Sequence, residues 1–357
     1  MRHKIIRSLQ NPLLKTADVV PSSEGFQVIG IFNCGAVRYQ GETILLCRIA
    51  ENVAKQEEHQ VSIPIVAGKE GGDTFKIIRL DKERETELDF SDSRHVANKN
   101  GALKIRYLTS LSHLRIARST DGVHFVLDQQ PVIIPNSHEE QWGMEDPRIT
   151  PIGDRFYISY TAVSPMGAAT SLIETKDFKN FQRHGIIFLP ENKDVAIFPG
   201  KIGGSYYAMN RPVPYAIGSP DIWLSKSPDL IHWGEHTHLC GVSATGWENG
   251  RIGGGAVPLL TEKGWLVIYH AADRDNRYCL GAMLLQQDDP AVILAKSREP
   301  LVEPEEDYEV NGFFGNVVFT CGCLQEQDHI IIYYGAADEC ICRIDVELDE
   351  IFEHLGV

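Results

Sequence analysis

The chain has 357 residues, with 34 Lys and Arg against 49 Asp and Glu, a formal charge of −15, and 43% of it is hydrophobic. Such a composition supplies a sizeable folded core, while its acidity excludes a general binder of nucleic acid or of anionic membranes, which needs clustered Lys and Arg. No apolar run approaches the roughly 18 residues of a membrane span, so no membrane partner is expected.

The first residues, Met1 to Arg7, are basic, but Arg7, Gln10 and Asn11 interrupt any apolar stretch. No export signal is read there, and a cytoplasmic location is expected. Up to about Gly25 the chain reads as loop, marked by Pro12, Pro21, Ser22 and Ser23. A strand from Val28 to Val37 and a second from Thr43 to Ala50 follow. About Val53 to Ser112 is an insertion, and its part from Lys69 to Gly101 is rich in Lys, Asp and Glu around a short strand, Phe75 to Leu80. It reads either as a solvated excursion or as an arm that covers a pocket or reaches a second subunit, which would suit a homodimer.

Beyond the insertion the pattern recurs. Gly- or Pro-marked strands at Asp146 to Pro151, Ala196 to Ile202, Gly254 to Leu259 and Gly315 to Thr320 each precede an aromatic and β-branched strand. Those second strands are Phe156 to Ala162, Tyr206 to Pro212, Trp265 to Ala271 and Ile331 to Ala336. Three further strands run into a Ser/Thr-x-Asp-x-x-x-aromatic turn, at Asp121 to Phe125, Asp177 to Phe181 and Asp229 to Trp233. The Asp bonds nearby backbone N–H groups and the aromatic restarts a strand; His232, inside the third turn, is read as structural. A period of about 50 residues implies five units of four antiparallel strands. The expected fold is all-β, a five-bladed β-propeller spanning 1–357 as a single domain. A stacked pair of sandwiches would not produce the period.

Eight cysteines in a chain this long do not form a disulfide scaffold and are read as reduced thiols. Cys321-x-Cys323 and Cys340-x-Cys342 lack the usual zinc-knuckle spacing; the first pair follows a leading strand and the second begins a third strand, at opposite ends of a sheet, so no metal is expected.

Aligning the second strands on their closing Ala sets Arg48, Tyr160, Tyr269 and Tyr334 level, with Glu51, Asp273 and Asp338 just beyond. Such a ring suits a polyhydroxylated ligand, although tyrosines are also ordinary strand formers. The sharpest local feature is Gly143-Met144-Glu145-Asp146-Pro147-Arg148. Adjacent carboxylates, partly desolvated, would push one pKa upward, as a general acid requires; a capped turn with a salt bridge is the other reading.

From Asn33-Cys34-Gly35-Ala36 to Tyr333-Tyr334-Gly335-Ala336-Ala337-Asp338, the sequence resembles glycoside hydrolase family 130, the β-mannoside phosphorylases and related mannosidases, which are five-bladed propellers. The resemblance implies that Asp146 is the general acid, acting through the 3-hydroxyl of the same mannose, and that Asn33, Arg48 and Asp338 hold the mannosyl unit. Glu145 and Arg148, beside the acid, are counted with the sugar-binding residues. Arg251, near Trp247 and Glu248, is read either as part of an acceptor subsite or as the end of a loop. Asn210-Arg211-Pro212 looks like the family's His-Arg-Pro element, and Tyr269-His270 with the later Tyr278 looks like its Tyr-His pair and following Tyr. Arg211, His270 and Tyr278 would then bind phosphate, with Lys193 where an Arg is expected. The Gly253-Gly254-Gly255 run is not read as a phosphate cradle, because no helix pattern follows it.

An inverting hydrolase needs a second carboxylate to activate water, whereas phosphate needs only cations and hydroxyl donors to place it. The phosphate set contains no matching Glu, which favours phosphorolysis. The resemblance implies that the bond cleaved is a terminal β-mannosidic one, giving α-mannose 1-phosphate, and the chain looks most like the branch of the family that acts on β-1,2-mannobiose or short β-1,2-oligomannan. Carbohydrate and inorganic phosphate are the expected partners, the latter as co-substrate, with no cofactor. The alternatives are a β-mannosidase using Asp273 or Asp338 as base, a phosphorylase for β-1,4-mannosyl-glucose or β-1,4-mannosyl-N-acetylglucosamine, and a non-catalytic sugar-binding propeller.

Overall fold

A computed structural model describes residues 5–66, 75–99 and 105–357. Met1 to Lys4, where the basic start was read, and parts of the charged stretch from Lys69 to Gly101 lie outside them. The chain is all-β, as expected, and its strands run as successive antiparallel meanders. The first joins Phe26–Tyr39, Glu42–Val53 and Leu111–Ser119, with Val126–Leu127 on its edge. The second, continuous with it through a bridge from Gly143 to Ser112, holds Gly143–Ile152, Arg155–Ser164, Gly167–Thr175 and Phe181–Phe188. The third is Asn192–Ile202, Ser205–Pro212, Ile222–Ser227 and Gly234–Cys240. The fourth is built on Arg251–Gly254, Gly264–Ala272, Tyr278–Leu285 and Ile293–Lys296. The last contains Val318–Glu326, His329–Ala336 and Cys340–Glu347.

Successive side chains of these strands enter different cores, because strand side chains alternate between faces. Leu45 and Cys47 pack with Leu324, Ile331 and Tyr333 of the last sheet, while Ile44 and Leu46 pack with Met144, Ile149 and Ile158 of the second. Val195 and Ile197 meet Leu172 and Phe188, while Ala196 and Phe198 meet Trp265 and Val267. Leu266 and Ile268 in turn meet Ile330 and Ile332. Burial on both faces explains why the second strands read as nearly continuous apolar runs.

The Asp turns form as read. The Oδ1 atoms of Asp121, Asp177 and Asp229 accept backbone N–H bonds from the residues two and three further on. His232 Nδ1 lies 2.8 Å from Asp229 Oδ2 inside its own turn.

Three expectations are corrected. The leading strand of the fourth sheet is Arg251–Gly254 and not Gly254 to Leu259, whose residues 255–258 lie outside any strand. The first 25 residues are not merely loop: Ile6–Arg7 pairs with Ile344 and Asp345 as the outer strand of the last sheet, and Leu14 bridges to Ile341. Cys321 and Cys323 lie within a strand rather than after one. All eight cysteines are free thiols. Among the described residues no helix is long and apolar enough to cross a membrane.

Candidate active site

The leading strands of the first three sheets carry the same device. Each breaks register with a β-bulge, between Phe32 and Gly35, Glu145 and Arg148, and Lys193 and Ala196. At each bulge an Asx residue adopts the left-handed conformation: Asn33 (φ 49°), Asp146 (φ 51°) and Asp194 (φ 57°). Asn and Asp tolerate this conformation better than other side chains, and a bulge re-aims a side chain out of the pleat.

The first two of these residues meet. Asn33 Nδ2 donates to Asp146 Oδ1 at 2.9 Å, and Arg48 Nη1 donates to the same oxygen at 3.0 Å. Asp146 Oδ2 receives no hydrogen bond from the described residues, so the carboxyl is oriented through one oxygen and open at the other. Arg48, stacked on Phe32 with 4.6 Å from Cζ to the ring centre, also donates to Glu145 Oε1 at 2.8 Å. Lys193 Nζ lies 3.3 Å from Glu145 Oε2. Desolvation works to raise the Glu145 carboxyl, but Arg48 and Lys193 hold it below its ordinary value. Adjacency in sequence therefore does not make Glu145 the raised acid.

The raised carboxyl is Asp338, pushed up to about 7 by burial, with Asp146 and Glu145 adding to the shift against Arg48 and Arg94. Ala337 and Asp338 occupy the two central positions of a turn closed by Glu339 N–H to Ala336 C=O at 3.0 Å, with φ 48° and 55°. This is the primed turn whose twist matches a hairpin, and Ala337 pays a conformational cost there of about 1 kcal/mol.

Asp194, the third Asx, is a residue the sequence reading passed over. Arg211 Nε donates to its Oδ2 at 2.5 Å, His270 Nε2 lies 3.2 Å from the same oxygen, and Arg148 Nη2 donates to Oδ1 at 3.3 Å. Burial would raise this carboxyl, but the three basic groups hold it well below the carboxylate range. Burial lowers the His270 imidazole, and Arg211 and Arg148 add to this against Asp194, so at neutral pH the positive charge here rests on Lys193, Arg211 and Arg148. The glycine run also finds its reason. A Cβ at Gly253 would stand 2.3 Å from Asp194 Oδ2 and 2.7 Å from His270 Nε2. The carbonyls of Gly254 and Gly255 accept from Arg148 at 2.7 and 2.6 Å.

Arg148, expected among the sugar-binding residues, is buried with its guanidinium directed at those carbonyls, the Asp146 carbonyl and Asp194. It ties the bulge at Asp146 to the Asp194 cluster. Arg251 donates to Tyr278 Oη at 2.9 Å and to Asn276 Oδ1 at 2.6 Å.

The ring of Tyr160, Tyr269 and Tyr334 does not face a ligand. Each hydroxyl donates to a buried glutamate, Glu140, Glu248 and Glu309 respectively. Each glutamate is paired in turn with a cation, Arg183, Lys296 and Arg7. Register supplies the cause. Arg48 pairs across from Phe32, Thr161 from Glu145, Arg211 from Lys193 and His270 from Gly253. The row level with Arg48 is therefore Thr161, Arg211 and His270, and a one-residue slip sends every side chain to the other face. Asp273 Oδ1 accepts N–H bonds from Asp275 and Arg277 within its own turn. Among the described residues no group of three or more His, Cys, Asp or Glu side chains is arranged to hold a metal.

Two clusters of buried carboxylates and cations, one at Asp146 and one at Asp194, thus lie on an all-β scaffold, and the chain belongs to glycoside hydrolase family 130, a class of carbohydrate-active enzyme. The family model, described as β-1,4-mannooligosaccharide phosphorylase, matches residues 104–356. More particularly, the chain is 46% identical over 353 residues, 99% of both chains, to a β-1,2-mannobiose phosphorylase of Listeria innocua. It is 37% identical over 249 residues, 69% of this chain and 82% of the other, to a 1,2-β-oligomannan phosphorylase of Thermoanaerobacter sp.. The solved structure of a Listeria innocua β-1,2-mannobiose phosphorylase with β-1,2-mannobiose matches with a TM-score of 0.95 at 45% identity, covering 99% of each chain.

Proposed function

We propose that this chain phosphorolyses terminal β-mannosidic bonds, with β-1,2-mannobiose or short β-1,2-oligomannans as substrates, on a single-domain, five-bladed propeller. The meanders, each sharing a core with its neighbours and the last sharing one with the first, support the blade count. Asp146 is the general acid, and Asn33, Arg48 and Asp338 hold the reacting mannose, with Glu145 fixing Arg48 from behind. Lys193 and Arg211 supply the charge that holds inorganic phosphate, and His270 and Tyr278 supply polar contacts.

The observation that carries this reading is the state of Asp194. It is the carboxylate bonded to Arg211, and it is locked among Arg211, His270 and Arg148 with a strongly depressed pKa, while Asp338, the raised carboxyl, has Arg48, Asp146 and Glu145 as its neighbours, on the acid's side of the sugar and not across from it. Such a group is a poor general base for water, since an efficient base has its pKa near the working pH. Phosphate brings its own negative charge and needs no base. It attacks the anomeric carbon from the α face, the bond to the leaving sugar breaks, and the Asp146 proton passes to the departing oxygen, directly or through the 3-hydroxyl. The product is α-mannose 1-phosphate, and the step runs in both directions.

Turnover of β-1,2-mannobiose with and without phosphate tests the reading, following mannose 1-phosphate and free mannose separately. Phosphate-dependent mannose 1-phosphate is expected; mannose release at the same rate without phosphate would make the enzyme a mannosidase.

Asp338 gives this reading a pH signature. With its carboxyl titrating at about 7, it is protonated on the acid side and becomes a charged acceptor of sugar hydroxyls on the basic side. Charge-assisted hydrogen bonds exceed neutral ones by about 1 kcal/mol. The KM for mannobiose should therefore fall several-fold as pH rises through 7, and Asp338→Asn should flatten that dependence. A slope that persists in the variant assigns it to another group.

A further inference from the structure

The insertion is anchored next to the acid and ends across from it. Val66 N–H donates to the Gln141 carbonyl at 3.0 Å, just ahead of the strand that carries Asp146. Ile63, Ile65, Leu80, Leu88 and Val96 form a small core with Trp142 and Val163 of the second sheet. From that seat the loop at Asp92–Arg94 reaches the far side of the site, where the Arg94 guanidinium lies over the Phe314 ring at 4.6 Å. Phe314 N–H donates to the Ala337 carbonyl at 3.0 Å, so the ring under Arg94 rests on the very turn that presents Asp338.

The guanidinium is held, not waving. Asp92 accepts from Nε at 3.0 Å and from Nη2 at 2.7 Å, and it also accepts from the Arg94 backbone N–H at 2.8 Å. Thr109 fastens the loop through Ser93 and Arg94 carbonyls at 2.6 and 3.0 Å. Nη1 has no hydrogen-bond partner among the described residues, and the side chain is 44% exposed. A lone exposed ion pair contributes little, but a guanidinium stacked on an aromatic face and forked by a carboxylate is pre-organised, with one N–H edge left for a ligand.

We propose that Arg94 is a binding residue for the leaving sugar, delivered by the insertion to the open end of the site between Phe314 and the Asp338 turn. This rests on the reading of the site as a β-mannoside phosphorylase. The reacting mannose occupies the inner end, against Asp146, Asn33 and Arg48. What lies outward, under the insertion, is the unit that departs, and its hydroxyls are what a fixed N–H edge would bind. On this assignment the insertion is an arm that covers the pocket, which belongs to the second of the two readings its sequence allowed.

The test compares wild type, R94A and R94K. β-1,2-Mannobiose is titrated calorimetrically without phosphate, and the synthetic direction is run with mannose 1-phosphate as donor and mannose as acceptor. In R94A, mannobiose affinity should fall and the KM for mannose should rise, each by about tenfold or more, the loss of one charged hydrogen bond. The KM values for mannose 1-phosphate and for phosphate should stay within about twofold. R94K should recover little, since an ammonium cannot both stack and fork, and it carries the test if R94A loses its cooperative melting transition. Unchanged mannobiose affinity, or a KM for mannose 1-phosphate that rises along with that for mannose, overturns the assignment. A wild-type enzyme that binds mannobiose but makes no mannose 1-phosphate overturns the proposed reaction, while the calorimetry still judges Arg94. A wild-type enzyme that does not bind mannobiose overturns both.

Discussion

Asp146→Asn is expected to lower kcat for phosphorolysis by about 10³-fold, within the range that general acid catalysis contributes, while the KM for mannobiose moves only a few-fold. The geometry makes Asn the informative replacement. Asn33 and Arg48 both donate to Oδ1, and the amide oxygen of Asn accepts both bonds unchanged. What the amide puts in place of Oδ2 is an NH₂ group, which cannot surrender a proton to a leaving oxygen. Asn is also at ease at φ 51°, where Ala would add backbone strain of about 1–2 kcal/mol to the result. A β-mannoside with an acidic phenol as leaving group needs little protonation, so with it the deficit should shrink to about tenfold or less. Steady-state kinetics on the two substrates checks both halves. A variant that keeps a tenth of its kcat on mannobiose removes Asp146 from the acid's role, and an equal loss on both substrates makes its role one of position.

What could be read in the sequence follows from what is local. The all-β character, the meandering strands and the Asp turns each rest on a few neighbouring residues, and they appear where the pattern puts them, except that the strand expected over Gly254 to Leu259 is Arg251–Gly254. Asn33, Arg48, Glu145 and Asp146 form one bonded cluster. The errors are errors of register and of distant pairing. Setting the second strands level by their closing Ala misplaced Arg48 by one residue against Tyr160 and Tyr269, and that slip turned three structural tyrosines into a ligand ring. Levelling the leading strands instead would have set Asp194 with Asn33 and Asp146, since each stands one residue after the partner of a residue in the row of Arg48: Phe32 with Arg48, Glu145 with Thr161, Lys193 with Arg211. The strand Ile6–Arg7 is two residues whose partners, Ile344 and Asp345, lie at the other end of the chain, so nothing local marks it. Arg94 looks like any charge in an acidic and basic stretch until Phe314 is brought beneath it.

The second large effect should come from Asp194. The variant Asp194→Asn keeps the left-handed backbone and the volume, and removes only the negative charge from among Arg148, Arg211 and His270. A buried charge left without its counter-charge costs about 3–5 kcal/mol, and two guanidinium groups here lose the same carboxylate at once. His270, already lowered by burial, stays neutral and softens the loss. Thermal or urea unfolding at pH 7 should therefore show a destabilisation of about 3 kcal/mol or more. Its pH dependence identifies the cause. A carboxyl depressed in the folded state contributes its full stabilisation above its unfolded value, near 3.9, and loses it as pH falls toward the folded value. The gap between wild type and variant should thus be constant from neutrality down to about pH 4–5 and close below that. A gap that stays constant into acid would mean that packing, not charge, holds the site.

The same substitution sets two effects on phosphate against each other. Losing a negative charge strengthens the attraction for an anion, but it also frees Arg211 from the bond that aims it, and a misplacement of about 1 Å is enough to cost 10²-fold in rate. Position should prevail in kcat, with a fall of about 10²-fold, while the KM for phosphate changes less. If kcat holds and phosphate binds more tightly, Asp194 is only a counter-charge. If kcat falls and the KM for phosphate stays near its wild-type value, the buried carboxylate is what aims the cations at the phosphate.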